Sequence, residues 1–174
     1  MNSITERSAA VLFKGNPASL LGPEIKVGDK APDFRVVDNG LQPVTLATDA
    51  GKIRLIAVAP SLDTALCDTM TRKFNQDAAA LPDSVVVYTI TVDLPFAQKR
   101  WCGNAGIDKV KTLSDYQERS FGLNYGVLLK DLKLLARSVF VIDAEDNIAY
   151  VELVPEVTTE PDYTAALTAV KALL

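Results

Sequence analysis

The 174-residue chain carries two thiols, Cys67 in "PSLDTALCDTM" and Cys102 in "QKRWCGN", 35 positions apart, and has no histidine. Without an imidazole, neither a Ser-His-Asp triad nor a Cys-His pair can activate a nucleophile. Histidine-bearing zinc sites are excluded, and two cysteines cannot by themselves complete a four-thiolate site. No Asp-rich loop with the spacing of a hard-cation site occurs. Chemistry at these thiols therefore needs a sulfur ionised by its position, because the thiolate is the nucleophilic form.

The wider composition narrows the setting. The net charge is −4, and Lys and Arg are thinly spread, with "TRKF" and "QKRW" the densest groups. A nucleic-acid or anionic-membrane surface needs clustered basic residues, so neither partner is expected. No run approaches the ~20 apolar residues of a membrane span. "MNSITERSAAVLFKGNPASL" lacks the charged stretch and apolar run of a secretory signal. The expected compartment is the reducing cytoplasm, where a cysteine pair is more often transient and catalytic than a permanent disulfide. The length fits one domain, residues 1–174, able to bury a core without staples.

The elements that must position the thiols are legible in part. "APDFRVVDNGLQPVTL" reads as strand, turn, strand: Phe34 to Val37, a turn at Asn39-Gly40, then Val44 to Leu46. "IRLIAVAP" and "SVVVYTITV" are apolar runs of the kind buried on both faces of a sheet. Between them Leu66, Met70, Phe74, Ala78 and Leu81 repeat at helical spacing. Strand, helix, strand over about 40 residues is a βαβ unit with parallel strands and a right-handed crossover. A short helix is expected from Pro95 to Cys102, stopped at Gly103. "VKTLSD" is a candidate strand, and "YQERSFG" a helical turn or two. "RSVFVID" and "NIAYVEL" should pair antiparallel across "AED". A last helix has Thr159 and Asp162 as a candidate capping box, Pro161 in its first turn, and an apolar face of Tyr163, Ala166, Leu167, Val170 and Leu174. The sum is an α/β fold, a mixed central sheet with helices on both sides, in an order that fits thioredoxin-like architecture.

On that frame Cys67 falls in the first turn of a helix, just past the carboxyl end of a buried strand, with Asp63 or Thr64 as N-cap. Open α/β sheets place ligand sites there. The unpaired N–H groups and positive dipole end favour a thiolate, while Asp63 and Asp68 oppose it. A buried, inert thiol is the competing reading, since cysteine is among the most buried residue types. The same holds for Cys102, beside Trp101 at a helix end. Arg137 interrupts the apolar run "LKLLARSVFVID". It is either paired with a buried carboxylate, or exposed at a strand start, or a guanidinium aimed at Cys67.

Pro60, Thr64 and Cys67 form P-x-x-x-T-x-x-C, which is similar to the peroxidatic motif of the peroxiredoxins. "PSLDTALCDTMTRKFN", "DLPFAQKRWCG", "LLARSVFVID" and "EPDYTAAL" resemble the bacterial thiol peroxidase branch, the atypical two-cysteine type. The resemblance runs from about Lys14 to the C-terminus. Ala65 departs from the Gly or Pro of many relatives without touching a catalytic group.

The resemblance implies a thioredoxin-like fold with an N-terminal β-hairpin extension, and a peroxidase for hydrogen peroxide and organic hydroperoxides. It makes Cys67 the peroxidatic nucleophile, Cys102 the resolving cysteine of an intrachain disulfide, Thr64 and Arg137 active-site residues and Pro60 a shielding residue. It implies thioredoxin as reductant, a homodimer, and no metal or organic cofactor. Two alternatives share these cysteines. A thioredoxin-like dithiol oxidoreductase is disfavoured by the lack of C-x-x-C. A non-catalytic peroxide sensor would use oxidation of Cys67 to remodel a partner surface.

Overall fold

The computed structural model describes residues 3–174. Its centre is a seven-stranded mixed sheet, built from β5 (Ile53–Val58), β6 (Val85–Thr91), β7 (Val110–Ser114), β9 (Ser138–Ile142), β10 (Ile148–Leu153) and the hairpin of β3 (Arg35–Val37) and β4 (Pro43–Thr45). The spatial order is β10-β9-β5-β6-β7-β3-β4. β5, β6 and β7 run parallel, and the flanking pairs are antiparallel. β5 and β6 are buried along their whole length, as their largely apolar runs predict, with Arg54 of β5 buried and donating to the Asp49 carbonyl at 3.0 Å.

Four helices complete the frame: α1 (Ala65–Ala78), α2 (Pro95–Ala105), α3 (Ser120–Asn124) and α4 (Tyr163–Lys171). The two-residue period of the strands separates two apolar layers. Leu55, Ala57, Val87, Val139 and Val141 face Met70 and Phe74 of α1 and Ala166 and Val170 of α4. Ile56, Val58, Ile90 and Phe140 face the other way, onto Phe121, Tyr125 and a three-stranded sheet. That small sheet joins β1 (Glu6–Phe13), β2 (Asn16–Leu21) and β8 (Leu128–Leu129) in the order β1-β2-β8. β1 and β2 are the expected N-terminal hairpin.

Several boundaries differ from the sequence reading. α2 does not stop at Gly103; it continues to Ala105, and Gly106 caps it at φ 67. A left-handed cap favours glycine, and Gly106 rather than Gly103 occupies that position. Cys102 therefore lies inside the helix. In α4 no Thr159–Asp162 capping box forms. Asp162 is itself the N-cap, its carboxylate accepting the Ala165 N–H at 2.9 Å, so Pro161 lies before the helix. Leu174 lies past the end of α4 and is exposed rather than part of its apolar face. Leu81 likewise follows the end of α1.

Candidate active site at the start of α1

β5 ends at Val58, and Pro60 is buried just beyond it. The chain then makes a tight loop. The Ser61 carbonyl accepts the Thr64 N–H at 3.2 Å and the Thr64 hydroxyl at 3.0 Å. Thr64 is the N-cap of α1 by its extended backbone, but its side chain does not cap the helix. The first intrahelical bond runs from the Asp68 N–H to the Thr64 carbonyl at 3.0 Å. The N–H groups ahead of it stand uncapped at the positive end of a 14-residue helix.

Cys67 sits three residues into α1 and is fully buried, facing the apolar layer beneath the helix. Its sulfur is not isolated there. Arg137, one residue before β9 and 2% exposed, donates from Nη2 to Cys67 Sγ at 3.2 Å. The same guanidinium donates from Nη1 to Met70 Sδ at 3.5 Å and from Nε to the Val157 carbonyl at 2.8 Å. These contacts hold the planar fork with soft or neutral acceptors. No carboxylate forms an ion pair with Arg137 among the described residues. Tyr163 lies close by, but burial, first, and then nearby Glu160 push its phenol up to about 12, so at neutral pH it supplies no negative charge.

The structure thus separates the readings of Arg137 left open by the sequence. The side chain is neither exposed nor paired with a carboxylate. A desolvated cation costs on the order of several kcal/mol unless it is compensated. The group placed to compensate it is the Cys67 sulfur, provided that sulfur carries negative charge.

Cys102 has different surroundings. It is partly buried in the last turns of α2, and its sulfur lies 3.3 Å from the Thr112 hydroxyl on β7. Thr112 in turn donates to Asn39 Oδ1 at 3.0 Å. Cys102, Thr112, Asn39 and Lys111 line one open cavity of about 390 Å³, of which Cys67 is not part. Both cysteines are free. Cys67 bonds to Arg137, the residue just before β9, and Cys102 to Thr112 of β7. Those strands are three spacings apart in the sheet, about 14 Å at ~4.8 Å each.

A polar clamp links the two cysteine helices. Asp68, next to Cys67, accepts the Trp101 indole N–H at 2.9 Å, and Trp101 is next to Cys102. The other Asp68 oxygen accepts from Arg72 Nε at 2.8 Å. Arg72 lies 5.6 Å from the Trp101 ring centroid and also donates to the Ala105 carbonyl at 3.3 Å. The bond to Asp68 holds the Arg72 guanidinium above its usual value. Asp68 reads from sequence as a charge opposing the thiolate; it is in fact engaged by a cation and an indole.

Of the five candidates, the fold brings Cys67 and Arg137 into contact. It places Pro60 and Thr64 on the loop leading to Cys67, and it leaves Cys102 apart. Met70 reads from sequence as an apolar stripe residue yet also touches Arg137. Among the described residues no group of three or more Cys, Asp or Glu side chains is arranged to hold a metal ion, and no helix is long and apolar enough to cross a membrane.

The redoxin family model matches residues 26–167. The chain is 59% identical over 166 residues to a thiol peroxidase of Halalkalibacterium halodurans, covering 95% of this chain and 99% of that protein. It is 54% identical, with the same coverage, to a thiol peroxidase of Bacillus subtilis. A peroxiredoxin-like protein from Aquifex aeolicus superposes with a TM-score of 0.90 at 43% identity, over 99% of this chain and 100% of that one. A thiol peroxidase from Chromobacterium violaceum shares the fold, with a TM-score of 0.84 at 22% identity over 93% of this chain and 95% of that one. With a buried thiol held by a buried arginine at the helix start, and relatives matching nearly end to end, the chain belongs to the redoxin family, in the group that contains the thiol peroxidases.

Proposed function

We propose that the protein is a peroxidase that reduces hydrogen peroxide and organic hydroperoxides at Cys67. The observation that carries this reading is the Arg137–Cys67 contact at 3.2 Å, with both groups buried and no carboxylate paired to the arginine among the described residues. A thiolate at Cys67 gives the guanidinium its missing negative partner and supplies a nucleophile without histidine.

The chemistry follows from the placement. The Cys67 thiolate attacks one peroxide oxygen and the O–O bond breaks. Cys67 becomes a sulfenic acid, and the other oxygen leaves as hydroxide or alkoxide and takes up a proton. Negative charge spreads from sulfur onto the departing oxygen, and Arg137 stabilises it at both ends of the step. The open N–H groups of the first α1 turn face the same region. Thr64 has one hydroxyl proton and gives it to the Ser61 carbonyl. What it offers a substrate is a lone pair, which can accept the O–H of a hydroperoxide and orient it. Pro60, buried and with no N–H to draw water, is the proposed shield of the sulfur.

Cys102 then attacks the sulfenic sulfur and water leaves, forming a Cys67–Cys102 disulfide within one chain. A disulfide needs Cα atoms within about 7 Å. α2 must therefore release Cys102 from Thr112 and open the clamp at Trp101 before the bond can close. The last turns of this 11-residue helix, beyond the buried Gln98 and held by part-buried polar contacts, can open locally at modest cost. Thioredoxin is the proposed reductant, the protein a cytoplasmic homodimer and the whole chain one domain, as the family resemblance implies.

The test is peroxide-dependent NADPH oxidation coupled through thioredoxin reductase and thioredoxin, with hydrogen peroxide and a bulkier alkyl hydroperoxide. The wild-type chain turns over and Cys67→Ser does not. Turnover retained in Cys67→Ser would falsify the assignment.

A further inference from the structure

Asp93 lies on the turn between β6 and α2, at the start of the "DLPFAQKRWCG" string and nine positions before Cys102. Its carboxylate reaches back across the sheet end to the loop that precedes Cys67. Oδ1 accepts the Ser61 hydroxyl at 2.7 Å, and Oδ2 accepts the Leu62 N–H at 2.7 Å and the Thr91 hydroxyl at 2.8 Å. Ser61 passes this hold onward. Its hydroxyl oxygen accepts the Asp63 N–H at 3.2 Å, and its carbonyl accepts both the N–H and the hydroxyl of Thr64.

We propose that Asp93 is a positioning residue for peroxide reduction. By fixing Ser61 and Leu62 it sets the Pro60–Thr64 loop and so aims the free lone pair of Thr64 at the bound hydroperoxide. The proposal rests on the reading of Thr64 given above.

The chemistry of the turn calls for a carboxylate. Ser61, Leu62 and Thr91 all donate, and an ionised carboxylate is an acceptor with about four lone-pair sites and nothing to donate. Bonds to a charged acceptor are roughly twice as strong as neutral ones. An asparagine would keep one acceptor oxygen and turn an NH₂ toward groups that also donate. The carboxylate is itself held in place. The Thr91 hydroxyl, besides donating to Oδ2, accepts the Asp93 N–H at 3.0 Å and Gln98 Nε2 at 3.0 Å. The Ser114 hydroxyl donates to the Asp93 carbonyl. Gln98 is one helical turn before Cys102, so the peroxide loop is anchored, through Thr91 and Asp93, to the helix that carries the other thiol.

The proposal is tested by stopped-flow oxidation of Cys67 with hydrogen peroxide in Asp93→Ala, Asp93→Asn, Thr64→Val and the Asp93→Ala/Thr64→Val double variant. Alkylation of Cys67 by iodoacetamide, which has no peroxide oxygen for Thr64 to orient, is measured in parallel. Asp93→Ala and Thr64→Val should each slow oxidation about 10- to 100-fold. The double variant should be no slower than Thr64→Val alone, within about twofold, because the two act on one contact. Asp93→Asn should fall between wild type and Asp93→Ala, and alkylation should stay within about twofold of wild type. Additive losses, or an alkylation rate that falls in step with oxidation, would show that Asp93 supports the fold or the thiolate and not Thr64; either result overturns the proposal. Oxidation at the wild-type rate in Asp93→Ala, with Thr64→Val slow, overturns the proposal alone. Wild-type oxidation in Thr64→Val overturns the reading of Thr64 and the proposal with it. Should Asp93→Ala not fold, Asp93→Asn takes its place in the cycle under the same criteria.

Discussion

Cys67 and Cys102 have the same side chain and opposite surroundings. Cys67 is sealed under α1 with a guanidinium against its sulfur. Cys102 is partly buried beside a threonine hydroxyl, in an open cavity on another part of the sheet. A nucleophile for peroxide needs charge stabilisation and dryness, which a rigid buried site provides. A resolving thiol needs to travel, which the last turns of a short helix, held by part-buried polar contacts, allow. On the proposed roles, the fold gives rigidity to the nucleophile and release to the resolving thiol.

Three substitutions probe this division of labour. The largest effect is expected for Cys102→Ser, which should oxidise Cys67 once at close to the wild-type rate and then stop. Thioredoxin-coupled cycling should fall to background. Sustained cycling would mean that Cys102 is not the resolving thiol and that its open setting has another purpose.

Arg137→Gln comes next. It keeps hydrogen-bonding capacity but removes the charge, and should slow Cys67 oxidation on the order of 100- to 1,000-fold, the range seen when a preorganised charge-stabilising donor is lost. Arg137→Lys should recover only part, because an ammonium cannot span the Cys67, Met70 and Val157 acceptors as the fork does. Second-order rate constants measured by peroxide mixing settle the point; an unchanged rate in Arg137→Gln removes the arginine from the chemistry.

The smallest effect concerns the clamp. Asp68→Ala frees Trp101, and should lower the cost of opening α2 by ~1 kcal/mol, the net worth of one hydrogen bond. Disulfide formation after oxidation should then quicken about fivefold. Trp101 is the only tryptophan, so its fluorescence reports the step directly. A slower or unchanged disulfide step would show that the clamp does not restrain Cys102.

Much of this was legible in the sequence because it depends on local pattern. The apolar runs of β5 and β6 and the helical stripe of Met70 and Phe74 specify the βαβ unit, and a residue after such a strand at such a helix start is well placed for chemistry. The buried Arg137 was marked by its oddity within an apolar run, though its partner was not. The end of α2 was misread because two glycines, Gly103 and Gly106, compete for one stop signal, and only the backbone decides which turns left-handed. Asp93, Ser61 and Asp68 were illegible as site residues for a different reason. Their partners lie 31 to 33 positions away along the chain, and a polar residue near a turn carries no local sign of what it will meet. β1 and β2 are mostly exposed or half-covered, and a register shift interrupts their pairing between Arg7 and Val11. No strict alternation marks them, so the hairpin was expected from resemblance alone.

The neutral partners of Arg137 have one more consequence. If Cys67 is the proposed thiolate, whatever removes that charge, disulfide formation included, leaves a desolvated cation with only a carbonyl and a thioether to answer it. That raises the free energy of the oxidised protein relative to the reduced one, and for a two-electron couple each 1.4 kcal/mol is about 30 mV of reduction potential. On the proposed roles, an arginine that speeds the oxidation of Cys67 also makes the resulting disulfide a better oxidant, and easier for a reducing partner to open.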